Sequence, residues 1–198
     1  MKNIILILLF SLASSLSAQE RLWASYYGPE SNLLFNLQED AEGNLYGNMD
    51  ILEGPNVTAD YMNSFVTEGA FYSYNPSIIN SSMFFKLSPQ GDVLWSSFFP
   101  GEIYNFKVSS EGEIYILAGN SAGGEEDVID LIMDSNSAFP DPYEFGDDEE
   151  RTKLNHYLVK FDTDGQKLWG TFLPVFTYLA IGRNGDIYIS GIYVVPEI

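Results

Sequence analysis

The chain has 198 residues and a formal net charge of −19, and it contains no cysteine. The lack of cysteine excludes disulfides, thiolate metal sites and a cysteine nucleophile. The negative charge would repel a phosphate backbone, so we expect no nucleic-acid partner. Aromatic residues make up 15% of the chain, mostly tyrosine and phenylalanine, and this composition favours strands over helices.

The first predicted element is a leader at residues 1–18. Lys2 precedes the apolar run IILILLF, and a tail of small residues follows and ends at Ala18. This order is typical of a secretory signal peptide, and the apolar run is shorter than the ~20 residues that a membrane-spanning helix needs. We therefore predict export to the extracellular space, cell surface or periplasm, with no membrane span. Residues 19–198 are enough for one domain with its own core.

An internal repeat organises the rest of the chain. Residues 84–99 (FFKLSPQGDVLWSSFF) align without a gap on residues 158–173 (LVKFDTDGQKLWGTFL), and residues 21–28 (RLWASYYG) repeat the second half of the pattern. Each tryptophan is followed 19 to 23 residues later by the tyrosine of a second phrase, which reads EGNLYG, EGEIYI or NGDIYI. The units therefore lie near residues 21–52, 84–119 and 157–195, with long connectors at residues 53–83 and 120–156.

Each unit reads as strand, tight turn, strand with Trp, loop, strand, tight turn and strand with Tyr. The turn sequences place glycine where a hairpin needs a positive φ, and Asp, Asn or Ser where a side chain can bond the local backbone. We expect the four strands of a unit to form one antiparallel sheet. Consecutive apolar residues in DVLWSSFF and EIYILAG predict that both faces of the sheet are covered. The predicted fold class is all-β, with antiparallel four-stranded, blade-like repeats that form a partial β-propeller of about two and a half units.

The repeated phrases resemble the secreted bacterial SBBP-type β-propeller repeats. Those units combine a Lys-containing strand, a Gly turn, LWATYYGG and then GNIYVTG; residues 22–28 (LWASYYG) are the closest copy, and residues 67–71 (TEGAF) resemble the T-x-GAF of their connecting loop. The resemblance implies propeller blades and is nearly uninformative about function. Closed propellers usually have at least about four blades. The sequence is thus expected to be a fragment of a longer chain, with a ring shared between several copies or an open stack as the alternatives.

The segment GNSAGG, residues 119–124, follows an apolar strand and matches the G-x-S-x-G elbow that carries a hydrolase nucleophile, here Ser121. The order of a later acid, Asp141 or Asp147, and of His156 would suit an α/β-hydrolase. The alternating strands and helices of that fold are absent, since only one helix is suggested.

That helix covers residues 125–134, and it rests on Val128, Leu131 and Ile132.

Because the pattern of an α/β-hydrolase is absent, we predict a protein that is not an enzyme, with no catalytic, cofactor-binding or metal-binding residues. A serine hydrolase using Ser121 is the alternative. His156, the only histidine, is expected to make a local hydrogen bond or to face solvent.

Acidic segments raise the question of calcium. Residues 162–165 (DTDG) have the first spacing of a calcium loop but lack its later acidic ligands, and the counterpart SPQG has no acidic residue, so a turn is favoured. Residues 146–150 (GDDEE), with Asp141 and Glu144 nearby, are denser in charge, and a solvated loop is favoured there. The prediction is no cofactor, with a calcium-stabilised surface protein as a further alternative.

The prediction for function is an exported noncatalytic scaffold or binding module. The tryptophans have a fixed place in the repeat, so we expect them to pack between neighbouring blades. The long connectors would bind a protein or carbohydrate ligand, because loops on a rigid repeat usually carry recognition. Aromatic residues of the two connectors would either form that surface or fill gaps under the loops: Tyr61, Phe65, Phe71, Tyr72 and Tyr74 in the first, and Phe139, Tyr143 and Phe145 in the second.

Overall fold

The computed structural model describes residues 27–29, 32–51, 58–74, 81–120, 130–132, 155–173 and 177–191. The described residues are mostly strand, and their sheets are antiparallel, as the sequence predicts. No described helix is long and apolar enough to cross a membrane. The predicted leader, Trp23 and most of the second connector lie outside the described residues.

The first sheet has four antiparallel strands in the order β1-β2-β3-β4. A short helix, α1, lies in the connector between β2 and β3, and Thr58 caps it by accepting a hydrogen bond from Tyr61 N. The bounds are Asn32–Glu39 for β1, Leu45–Ile51 for β2, Ala59–Asn63 for α1, Ser82–Leu87 for β3 and Val93–Phe99 for β4.

The second sheet repeats this arrangement in the order β5-β6-β7-β8, and a third, two-stranded sheet contains β9 and β10. Of the helix suggested at residues 125–134, the structure describes residues 130–132, which are helical. The bounds are Glu102–Val108 for β5, Ile114–Asn120 for β6, Asn155–Phe161 for β7, Lys167–Leu173 for β8, Thr177–Ile181 for β9 and Ile187–Gly191 for β10.

The sheets are out of phase with the sequence units by one hairpin. The unit at residues 84–119 gives β3 and β4 to the first sheet but β5 and β6 to the second. The expectation that the four strands of a unit form one sheet is therefore wrong. The physical reason is the short Pro100-Gly101 link, which leaves β4 and passes the start of β3, where Ser82 N donates to Gly101 O at 2.9 Å. The long connectors, by contrast, join strands that pair with each other.

The hairpin turns are built as the sequence predicts. In the DTDG segment, Asp162 Oδ1 accepts hydrogen bonds from the backbone N–H groups of Asp164 and Gln166, at 2.9 and 2.8 Å. The Ser88 hydroxyl does the same for Gln90 and Asp92 in the counterpart turn. A serine thus performs the task of the aspartate, so the acidic residue at this place is explained by the turn alone.

Aromatic packing joins the first two sheets. Trp95 of β4 lies against the Gly165 turn of the second sheet, and its ring centroid is 5.5 Å from that of Phe161. Next to it, Lys86 Nζ donates to Thr163 O at 2.9 Å. The prediction that tryptophan packs between neighbouring sheets is confirmed for Trp95.

The first strands of the sheets lie side by side. β5 contacts β1 and β2 of the sheet before it, and β9 contacts β5. Trp169 of β8 packs near Tyr115 on the face that β9 and β10 cover in part. Successive sheets are thus stacked face to face, and within the described ranges they form no closed barrel or propeller.

Candidate functional site

One edge of the sheets collects the ends of both long connectors. Neighbouring strands are antiparallel, and the end of β2 pairs with the start of β3, while the end of β6 pairs with the start of β7. The connectors therefore leave and re-enter the sheets at the same side, opposite the tight turns. We call the described polar residues at this side the connector edge; they are Asp50, Ser82, Glu102, Tyr104 and His156.

Ser82 is the hydrogen-bonding centre of the connector edge. Its hydroxyl donates to Asp50 Oδ1 at 2.5 Å and accepts from Ile103 N at 2.9 Å. The fully buried Asn48 lies on the same face of β2 as Asp50, and its Nδ2 donates to Ile103 O at 3.3 Å. These bonds fix the first strand of the second sheet against the first sheet, so the edge belongs to a rigid junction.

Two carboxyl groups and a phenol lie close enough at this junction for the negative charge of one to raise the pKa of another. Burial raises the pKa of Asp50, and the hydrogen bond from Ser82 opposes that change. Burial, and then repulsion by Asp50, raises the pKa of Glu102. Burial raises the pKa of Tyr104 as well, and the two carboxylates add to this effect. Each group therefore lies in surroundings that would favour a positive charge or hydrogen-bond donors over an anion.

His156 is buried beside Tyr104 and does not face solvent, which corrects that part of the sequence prediction. Its side chain is 3% exposed, and its ring centroid lies 5.7 Å from that of Tyr104. The two rings fit here because the residue that pairs with His156 is Gly119, which has no side chain. A Cβ on Gly119 would lie 2.8 Å from His156 Cδ2 and 2.7 Å from Tyr104 Cε2. Burial lowers the pKa of His156 to about 4, so the imidazole is neutral at pH 7.

Of the hydrolase candidates, His156 is the one that lies within the described residues. Ser121, Asp141 and Asp147 lie outside the described residues, as do Glu144 and the acidic segment 146–150. The ring of His156 packs beside that of Tyr104. Among the described residues, no group of three or more Asp, Glu or His side chains is arranged to hold a metal ion.

The aromatic residues of the first connector point into the protein. Phe71 packs between the sheets, 5.2 Å from Phe99 and 5.1 Å from Phe161 between ring centroids. The others cover the opposite face of the first sheet, around Phe85 and Phe98. Of the two roles that the sequence left open for Tyr61, Phe65, Phe71, Tyr72 and Tyr74, the described packing is that of gap-filling under the loops.

Residues 130–132 of the second connector lie against the second sheet. Ile132 is fully buried, and a Cβ on Gly170 would lie 2.3 Å from Ile132 O. Lys167 Nζ donates to the carbonyls of Leu131 and Ile132 at 2.7 and 3.1 Å. Phe139, Tyr143 and Phe145 lie outside the described residues.

Sequence reasoning did not single out Asp50, Glu102 or Tyr104. Asp50 is separated from Glu102 by the first connector and by two strands, and no motif links them. The one available signal is Pro100-Gly101, which marks a sharp link just before Glu102. Only the pairing of β2 with β3 brings these residues to one edge.

In comparisons with known proteins, the chain matches no protein-family model and no curated protein sequence.

Proposed function

We propose that this chain is an exported, noncatalytic repeat protein of the β-propeller type, which acts as a scaffold and binds a protein or carbohydrate ligand at its connector edge. The proposal of a propeller rests on the resemblance to SBBP-type repeats and on the face-to-face stacking of four-stranded sheets with neighbouring first strands. The proposal of export rests on the leader sequence at residues 1–18.

One observation supports the binding role: the ends of both connectors and a cluster of polar side chains lie on the same edge of the sheets. Recognition residues in repeat proteins are usually mounted on loops that a rigid scaffold positions. The buried Ser82 holds Asp50 by a hydrogen bond at the sheet junction, so little side-chain entropy would be lost when a ligand binds to Asp50. The ligand that suits two carboxyls and a phenol offers hydrogen-bond donors or a positive charge.

Three side chains that the sequence analysis weighed have structural surroundings in the part of the chain that the structure describes. His156 is buried and neutral, Asp162 closes a turn, and Trp95 packs between sheets. A general base must reach the proton that it removes, and the side chain of His156 is 3% exposed, next to Gly119 and Tyr104. These roles account for the three described residues without a catalytic function.

The binding proposal is tested with a glycan array and an array of basic peptides. The test variant is Asp50→Asn combined with Glu102→Gln. The control is Glu42→Gln combined with Asp92→Asn, which changes the net charge equally at the exposed turns of the opposite edge. We expect a ligand whose affinity falls at least about tenfold in the test variant, because one good charged hydrogen bond is worth about 1.5–3 kcal/mol, and is unchanged in the control. Equal loss in both variants, or no ligand on either array, would contradict the proposal.

A further inference from the structure

The turn between β9 and β10 differs from the other hairpin turns in its first residue. Five described hairpin turns share one backbone pattern, in which the glycine at the fourth place has a positive φ and its N–H donates to the carbonyl of the first residue. In four of them the first residue is Asp or Ser, and its side-chain oxygen accepts hydrogen bonds from the N–H groups of the third and fifth residues; these first residues are Asp40, Ser88, Ser109 and Asp162. In the turn at residues 182–186 the first residue is Gly182, which has no side chain to form this cap.

Asn184, the third residue of this turn, replaces the cap only in part. Its Oδ1 accepts from Asp186 N at 3.4 Å, whereas Asp162 Oδ1 accepts from the N–H of the equivalent Gln166 at 2.8 Å. A local bond from a side chain to the backbone stabilises a turn against its open forms. The turn at residues 182–186 is therefore expected to open more readily than the four capped turns.

The described residues place little packing on this turn. Residues 183–186 are exposed, and no described atom lies within 4 Å of the place where Gly185 would carry a Cβ. At the equivalent Gly165, by contrast, three atoms of Trp95 lie 2.2–2.4 Å from that place. Folded proteins open locally where buried contacts are few, so the tertiary surroundings act in the same direction as the missing cap.

Asn184 and Gly185 also form the one Asn-Gly pair of the sequence. Because glycine has no side chain, the backbone nitrogen of Gly185 can approach the side-chain carbonyl carbon of the preceding asparagine with little steric hindrance. The closed turn holds that nitrogen in place, since Gly185 N donates to Gly182 O at 3.0 Å. Opening of the turn breaks this hydrogen bond and frees the nitrogen to react.

We propose that Asn184 is a site of spontaneous deamidation, and that opening of the turn at residues 182–186 controls its rate. The Gly185 nitrogen attacks Asn184 Cγ and loses its proton, the bond from Cγ to Nδ2 breaks, and ammonia leaves, so that a cyclic succinimide remains. Water then opens this ring at either carbonyl and gives aspartate or isoaspartate. Both products place a negative charge beside Asp186, and isoaspartate lengthens the backbone of the turn by a methylene group. This inference is independent of the ligand-binding role.

The variant Asp164→Asn gives a matched comparison within one chain. It places a second Asn-Gly pair in the turn that Asp162 caps and Trp95 covers. The full chain is incubated at mildly alkaline pH, and peptide mass spectrometry follows the conversion of both asparagines to aspartate and isoaspartate. We expect Asn184 to convert at least about fivefold faster than the asparagine at position 164, because a capping side chain changes the population of an open form by about this factor. In urea that unfolds the chain, the two should convert at similar rates.

Gly182→Asp tests the role of the missing cap. The ring of Tyr188 lies against Gly182, and the equivalent pair in the first sheet shows that an aspartate fits beside such a tyrosine, because Tyr46 Oη donates to Asp40 Oδ2 at 2.9 Å. We expect Gly182→Asp to slow the conversion of Asn184 by about fivefold. Gly182→Ala is the control, since it adds a Cβ but no acceptor, and it should not reproduce this effect.

Circular dichroism shows whether each variant is folded. An Asn184 that stays intact while other asparagines convert would overturn the proposal. Equal rates at positions 164 and 184 in the folded chain, or an unchanged rate in Gly182→Asp, would show that the turn does not control the reaction. A difference between the two positions that persists in urea would assign the rates to the local sequence and would refute control by the turn as well.

Discussion

Replacing Gly165 by alanine tests how the first two sheets are held together. Gly165 has a φ of 79°, a left-handed conformation that costs a residue with a Cβ about 1–2 kcal/mol. The new Cβ would also lie 2.2–2.4 Å from three indole atoms of Trp95, so the turn or the ring must move. Overpacking of this kind costs typically about 1–3 kcal/mol. We therefore expect Gly165→Ala to lower the free energy of unfolding by about 2–5 kcal/mol.

Gly43→Ala is the matched control for this change. Gly43 has a φ of 82° at the equivalent place of another hairpin turn, but a Cβ there would make ordinary contact with Pro89 Cγ at 3.4 Å. Only the backbone cost applies, so we expect a loss of about 1–2 kcal/mol. Urea unfolding followed by far-ultraviolet circular dichroism measures both values. Equal losses in the two variants would refute the contact between Trp95 and the turn.

A double-mutant cycle separates the ring from the backbone. Trp95→Phe has a smaller ring and leaves room at the Gly165 turn, so part of the cost of Gly165→Ala should disappear in the combined variant. Residues in direct contact usually show coupling of about 0.5–3 kcal/mol, and we expect a value in this range. The combination of Trp95→Phe with Gly43→Ala should be additive within about 0.5 kcal/mol.

Three further predictions concern the connector edge and its neighbours. Gly119→Ala should destabilise the protein by about 1–3 kcal/mol, because its Cβ would meet Tyr104 and His156; an unchanged urea midpoint would contradict this packing. The pKa of His156 is about 4 in the folded protein and ~6.5 in the unfolded chain, so between these values the unfolded chain binds more protons. The free energy of unfolding therefore has its full contribution from His156 above about pH 6.5 and loses it as the pH falls to about 4. About 3 kcal/mol of pH dependence should therefore be missing from His156→Phe, and parallel stability curves for the two proteins would show that the imidazole is not desolvated. Ser121→Ala should label with a fluorophosphonate probe no less than the wild-type chain and should hydrolyse a generic ester at the same rate, whereas a loss of labelling that follows the substitution would establish the serine hydrolase alternative.

The sequence by itself determined the strands, the turns and the period of the repeat. These features depend on local physics: β-branched and aromatic residues in short apolar runs set the strands, and glycine with a capping Asp or Ser sets each turn, as at Asp162 and Ser88. The role of Trp95 also followed from the sequence, because a bulky residue at a fixed place in a stacked repeat has to meet the neighbouring unit.

Only the tertiary structure decided how the strands are grouped and where the polar residues meet. The period of a repeat does not reveal its phase, and the sheet boundary falls at Pro100-Gly101 because strand pairing spans the long connectors. The same nonlocal pairing brings Asp50 to Glu102 and buries His156 against Gly119. It also packs the aromatic residues of the first connector against the sheets, where part of their apolar area is removed from water. Interactions between residues far apart in the chain leave no local pattern, so no inspection of neighbouring residues could have found them.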